Sequence, residues 1–271
     1  MRVLYVVSGA MVAAATAVGL TVAVTASPVA NATPAVHYVA LGDSYASGDG
    51  AGDYISSGGS CNRSKNAYPD QWADANHPAS FTFAACANAT TATVVSSQLS
   101  ALSSATTLVS ITIGGNDVGF TGVMTTCVLW TTSSCLKAVS VAETLVANVL
   151  PASLNVTLQA IRHDAPNAKI VVVGYPDLYD LSKSGSCIGL STADRTALNQ
   201  GAGDLDSALA TAAARNGDTF ASVQSQFAGH EICDSASWLH SVDIFSLGSS
   251  YHPTATGQED GYLPVFTAAA R

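Results

Sequence analysis

A chain of 271 residues with a formal net charge of −9 and only 10 Lys+Arg lacks the basic surface that nucleic acid or an anionic membrane would require. Charged residues make up 11% of it, and Ser, Thr, Ala and Gly fill the surface instead, which suits a soluble exported protein. The length after a leader, about 240 residues, fits one α/β domain with a large core.

Residues 1–32 read as a secretory signal: Arg2, an apolar run from Val3 to about Val24, then Ser27-Pro28 and Ala30-Asn31-Ala32. The run is long enough to rival a membrane anchor. The small-residue exit favours cleavage, so no stable membrane insertion is expected afterwards. Val36–Leu41 is a strand that breaks at Gly42, followed by Ser44 and a Gly/Ser-rich loop. Tyr68-Pro69 opens a short helix, with proline at an early position. Phe81–Ala85 alternates as a second strand and runs into Cys86-Ala87-Asn88-Ala89-Thr90-Thr91, where Thr or Asn caps a helix to about Leu102. Leu108–Ile113 is rich in β-branched residues and reads as a central parallel strand ending at Gly114-Gly115-Asn116-Asp117. Helices follow on either side of a Cys127/Cys135 loop. The longer, Leu136 to about His163, is interrupted near Pro151. Lys169–Val173 is a buried strand ending in Gly174-Tyr175-Pro176. A helix over Ser191–Arg215, a fifth strand at Thr219–Val223 and a terminal helix after His252-Pro253 complete the chain. This alternation predicts a three-layer α/β/α sandwich around a parallel sheet of about five strands, in one domain covering residues 33–271.

Cys61, Cys86, Cys127, Cys135, Cys187 and Cys233 all follow the leader. An even count in an exported chain implies disulfides. Order along the chain suggests neighbours: Cys61–Cys86, Cys127–Cys135 and Cys187–Cys233. No C-x-x-C or H-x-x-x-H spacing speaks for zinc.

Three strand ends break into turns at Gly42–Ser44, Cys86–Ala89 and Gly114–Asn116. In a parallel sheet they share one edge, where ligands bind. One offers a hydroxyl, one a backbone turn and one an amide side chain. With a histidine these parts make a serine-hydrolase site. The plain alternative is that Ser44 only caps a helix.

Gly42-Asp43-Ser44-Tyr45, Gly114-Gly115-Asn116-Asp117 and Ser249-Ser250-Tyr251-His252-Pro253 occur in this order and span nearly the whole mature chain. In these blocks the sequence resembles the SGNH (GDSL-type) hydrolases. The leader, the six cysteines, Gly-Tyr-Pro at 174–176 and Ala-Gly-His-Glu at 228–231 are similar to secreted actinomycete esterases and lipases of that family. The resemblance implies a flavodoxin-like fold and a carboxylester hydrolase that needs no metal or cofactor. It implies Ser44 as nucleophile, His252 as base, and an oxyanion hole from the Ser44 and Asn88 backbone N–H groups and the Asn116 side chain. Tyr45 stands where the usual pattern has Leu, and two further departures bear on the site. Asn88 stands where the family has glycine, and Ser249 where it often has an acidic partner for the histidine. The expectation is therefore a Ser44–His252 dyad with the Ser249 carbonyl orienting the imidazole, and Asp243 or Asp234 as the alternative third member. Asp43 and Asp117 read as backbone braces. His37, His77, His163, His230 and His240 read as structural or exposed. The tyrosines and Trp72, Trp130 and Trp238 are the candidates for an acyl pocket.

The implied partner is a small-molecule or lipid ester, and the chain is expected to act as a monomer. A carbohydrate acetyl esterase or a phospholipase of the same fold stays open, as does a secreted binding protein without catalysis.

Overall fold

In the computed structural model, five mostly apolar segments pair into one all-parallel sheet: β1 His37–Gly42, β2 Ser80–Phe83, β3 Leu108–Thr112, β4 Lys169–Val173 and β5 Thr219–Ala221. The structure describes residues 1–6, 8–11, 13–14, 35–183, 187, 189–242 and 249–271. Most of the expected leader lies outside them, and residues 35–271 form one compact unit.

β3 is buried at every position and β4 at all but its first. That is the pattern of parallel strands covered on both faces. β2 alternates between exposed and half-buried residues, as an edge strand does. The spatial order is β2-β1-β3-β4-β5. The chain leaves β1 towards one side for β2 and returns on the other for β3. The carboxyl ends of β1 and β3 are thus the topological switch point, the place where open α/β sheets hold ligands.

The helices are α1 Ser44–Ser47, α2 Tyr68–Asn76, α3 Thr91–Thr93, α4 Phe120–Leu129, α5 Thr132–Asn148, α6 Leu150–Asp164, α7 Thr192–Asn216, α8 Gln224–Phe227 and α9 Leu263–Ala270. α2 and α9 pack together on one face of the sheet, and α5, α6 and α7 form the opposite layer. Tyr38 of β1 anchors the first layer. Its ring stacks on Phe81 and Phe266 and meets Trp72 edge-on, while its hydroxyl pairs with Ser110 at 2.7 Å. α7 starts in a capping box, Ser191 with Asp194, and stops at Gly217 in the left-handed conformation (φ 72°).

Local geometry departs from the sequence expectation in two places and meets it in a third. The helix expected from Thr91 to Leu102 is one α turn, a π turn over Val94–Gln98 and a 3₁₀ turn over Leu99–Ala101. The π turn inserts an extra residue, a device common at functional sites, and Gln98 at its end reaches Gly42. The interruption expected near Pro151 in the helix from Leu136 to about His163 is present: the chain breaks at Val149, and the two helices are bent by 49°. Cys127 and Cys135 sit inside α4 and the first turns of α5 rather than in a loop, so their disulfide staples two helices. The other disulfides are Cys61–Cys86 and Cys187–Cys233. No single helix among the described residues is long and apolar enough to cross a membrane.

Candidate active site

β1 leaves the sheet at Gly42, whose φ of 126° is open only to glycine. A Cβ here would lie 2.3 Å from the Thr112 carbonyl oxygen of β3. The buried Gln98 side chain clamps this residue twice, accepting from its N–H and donating to its carbonyl, both at 2.8 Å. Asp43 N–H then donates to Thr112 O at 2.9 Å, and α1 begins at Ser44. The Asp43 carboxylate caps α1 by accepting from Tyr45 N–H at 3.0 Å. Thus the aspartate beside the serine braces the turn, and Ser44 is held on a rigid corner between β1 and β3.

His252 arrives from the far end of the chain. Leu239 and Pro253 form an antiparallel bridge, in which His240 N–H donates to His252 O (3.0 Å) and Tyr251 N–H to His240 O (2.9 Å). Tyr251 takes a left-handed φ of 67°, and its carbonyl accepts the Tyr45 hydroxyl at 2.7 Å. The reversal brings His252 Nε2 to 2.7 Å from Ser44 Oγ. Nδ1 faces the Ser250 carbonyl at 3.1 Å. The Ser249 carbonyl, expected at Nδ1, instead accepts the backbone N–H of His252 at 3.1 Å. The turn at Tyr251 is the reason: it points the Ser250 carbonyl back at the ring and leaves Ser249 to close the backbone. A carbonyl can only accept, so Nδ1 carries the proton and Nε2 is free to accept from the serine hydroxyl. Asp234 lies 3.7 Å from Lys183, and Asp243 lies outside the described residues.

The remaining histidines have other partners. His240 Nε2 reaches Gly50 O at 2.8 Å, and His230 stacks on Trp238 at 3.7 Å. His77 caps α2, while His37 and His163 pair with Ser80 and Asp164 at the surface.

The second and third turns meet beside Ser44. Cys86 N–H donates to Gly42 O at 3.0 Å, and its disulfide to Cys61 ties the turn to the preceding loop. Asn88 is left-handed (φ 64°), a conformation that glycine adopts freely and asparagine tolerates. Among the described residues no protein acceptor takes the Ser44 or Asn88 N–H. Asn116 Nδ2 donates one hydrogen to Ala89 O at 3.0 Å, so one remains. Asp117 accepts from both the N–H (3.0 Å) and the hydroxyl of Thr91, locking the third turn to the second.

One residue that the sequence offered only within Gly174-Tyr175-Pro176 and among the acyl-pocket tyrosines ties these turns together. Tyr175, after β4, donates its hydroxyl to the second Asp43 oxygen and accepts the Gly115 N–H at 3.2 Å. Its own N–H donates to Asp206 at 2.7 Å. Burial pushes the Asp43 carboxyl up to about 7, against the hydrogen bonds from Tyr175 and Tyr45 that pull it down. Burial likewise raises Asp206 to about 7. A carboxyl raised above its unfolded value, near 3.9, holds its proton longer in the folded state. Its contribution to stability is therefore full below about pH 4 and is lost as pH rises towards 7. Asp43→Asn removes one such group. Urea midpoints at pH 5 and pH 7.5 should lie closer together in the variant than in the wild type, and an unchanged gap would contradict this assignment.

From Ser44 an apolar cleft runs between α4, α5 and α7, with Tyr175 and Asn116 also in its lining. Phe120, Val123, Val139, Val146, Leu198 and Leu205 line it. The three tryptophans do not: Trp72 packs under the sheet with Tyr38, Trp130 is exposed, and Trp238 covers His230. Of the tyrosines, Tyr45 and Tyr175 reach the cleft. Apolar residues at helical spacing on three separate helices gave no sign in the sequence that they converge.

Comparison with known proteins finds relatives along most of the chain. A family model described as GDSL-like lipase/acylhydrolase matches residues 40–259. Lipase 1 of Streptomyces coelicolor is 54% identical over 233 residues, 86% of each chain. The crystal structure of an extracellular lipase from Streptomyces rimosus superposes with a TM-score of 0.84 at 50% identity, covering 87% of this chain and 100% of that one. That of phospholipase A1 from Streptomyces albidoflavus gives 0.85 at 49% identity, with the same coverage.

Proposed function

The chain belongs to the GDSL-like lipase/acylhydrolase family and is a carboxylic ester hydrolase, and from that premise we propose that it is a secreted lipase working through an acyl-enzyme on Ser44. Ser44 Oγ attacks the ester carbonyl as His252 Nε2 takes its proton. The Ser44 and Asn88 N–H groups and the free Asn116 amide hydrogen hold the oxyanion. His252 then protonates the leaving alkoxide, and water, activated by the same imidazole, releases the acid. The Ser250 carbonyl fixes the ring's tautomer. The observation that carries this reading is the 2.7 Å contact between Ser44 Oγ and His252 Nε2, two residues 208 positions apart. Secretion is supported by the leader-like residues 1–32 and three disulfides.

The apolar cleft beside Ser44 supports a lipid ester over an acetylated sugar, because it offers a hydrocarbon chain burial and few polar partners. Each methylene buried is worth about 0.8 kcal/mol, roughly fourfold in kcat/KM, until the cleft is full. A panel of soluble esters of one alcohol should show kcat/KM rising from acetyl into medium chains. A maximum at acetyl would favour the carbohydrate esterase. A second reading, phospholipase, is favoured by the likeness to phospholipase A1 of Streptomyces albidoflavus. Phosphatidylcholine alongside triacylglycerol in the panel separates the two.

A further inference from the structure

Between Asp117 and Lys137 the chain carries no charged side chain. This stretch is α4 and the start of α5, closed into a hairpin by Cys127–Cys135. Its two faces differ. On the inner face Phe120 and Val123 of α4 and Val139 of α5 line the cleft that leads to Ser44. At the tip Leu129 and Trp130 are 68% and 69% exposed, and Leu136 is 39% exposed. Both cysteines are buried, so the disulfide fixes the two helices to each other and holds the tip out. Large apolar side chains grouped at the surface mark an interaction site.

We propose that the Cys127–Cys135 hairpin is the surface by which this enzyme docks onto an uncharged or zwitterionic lipid–water interface, with Leu129, Trp130 and Leu136 entering the headgroup layer. The proposal rests on the lipase reading above. Two observations select this occupant. The hairpin is continuous with the substrate cleft, so docking it sets the cleft mouth against the lipid that feeds it. The stretch itself holds no cation, its flanking one is Lys137 beside Leu136, and the chain as a whole carries −9, so a neutral surface suits it better than an anionic one. Tryptophan at the tip suits the boundary, with an apolar ring and an N–H that finds water or a headgroup.

The test compares wild type with a Leu129→Ser/Trp130→Ala variant, neither residue lining the cleft. Partition onto phosphatidylcholine vesicles should fall at least about tenfold, because the variant loses two large apolar side chains from the contact. Hydrolysis of an emulsified triacylglycerol should fall with it, while turnover of a soluble short-chain ester stays within about twofold, showing the fold and the site intact. A measurement on unaltered protein stands beside it: phosphatidylcholine with brominated acyl chains should quench part of the tryptophan emission, and Trp130→Phe should remove the quenched part. Equal partition of variant and wild type, no partition of wild type, or quenching that survives Trp130→Phe would each overturn the proposal. So would a variant that loses only self-association, which would make the tip a contact between copies. Absence of soluble-ester turnover in wild type would instead refute the lipase reading and is scored separately.

Discussion

Replacing His252 with alanine should lower kcat on a soluble ester by about 10⁴–10⁶-fold, with the protein still folded. A serine hydroxyl is a weak nucleophile at neutral pH, and the contact at 2.7 Å supplies the base that takes its proton as the bond forms. The same imidazole must return that proton to the leaving alkoxide, so one deletion removes two roles. The fold should survive because the backbone around His252 is held by its bridge to residues 239 and 240 and by Tyr45 and Tyr179, which bond the Tyr251 carbonyl and hydroxyl. Residues acting as one unit are non-additive, so Ser44→Ala/His252→Ala should be no slower than either single variant. Steady-state kinetics with near-UV circular dichroism on the same preparations check this. A loss of less than tenfold would mean that another base serves Ser44.

Asn116→Ala is expected to cost about 10²–10³ in kcat with KM little changed. Its amide spends one hydrogen on Ala89 O and keeps the other. Beside an apolar cleft, one donor available to developing negative charge stabilises the transition state more than the ground state. The stability cost should be small, about 1 kcal/mol for a lost hydrogen bond, because Asp117 and Thr91 still join the two turns. A rise in KM at constant kcat would reassign Asn116 to substrate binding.

Much of this architecture was readable from the residues because parallel strands need apolar side chains on both faces. Leu108–Thr112 and Lys169–Val173 write that requirement as unbroken runs. Gly42 and Gly114 were visible as breaks because only glycine takes their positive φ, 126° and 122°. What stayed hidden depends on geometry that residue type does not encode. Whether the Ser249 or the Ser250 carbonyl meets Nδ1 is decided by the left-handed turn at Tyr251. The π turn before Leu99 differs from an α turn by one step of hydrogen bonding, yet it aims Gln98 at Gly42. The cleft exists only once α4, α5 and α7 have packed, and the bridge from Asp43 through Tyr175 to Gly115 joins three segments far apart in the chain.

The central claim, that Ser44 is the nucleophile activated by His252, is tested most directly by reaction with a fluorophosphonate ester followed by mass mapping of the adduct. The account predicts one adduct per chain, on Ser44, forming rapidly in wild type, orders of magnitude more slowly in His252→Ala and not at all in Ser44→Ala. An adduct on another residue, or folded and esterolytically active wild-type protein that stays unlabelled, would contradict it.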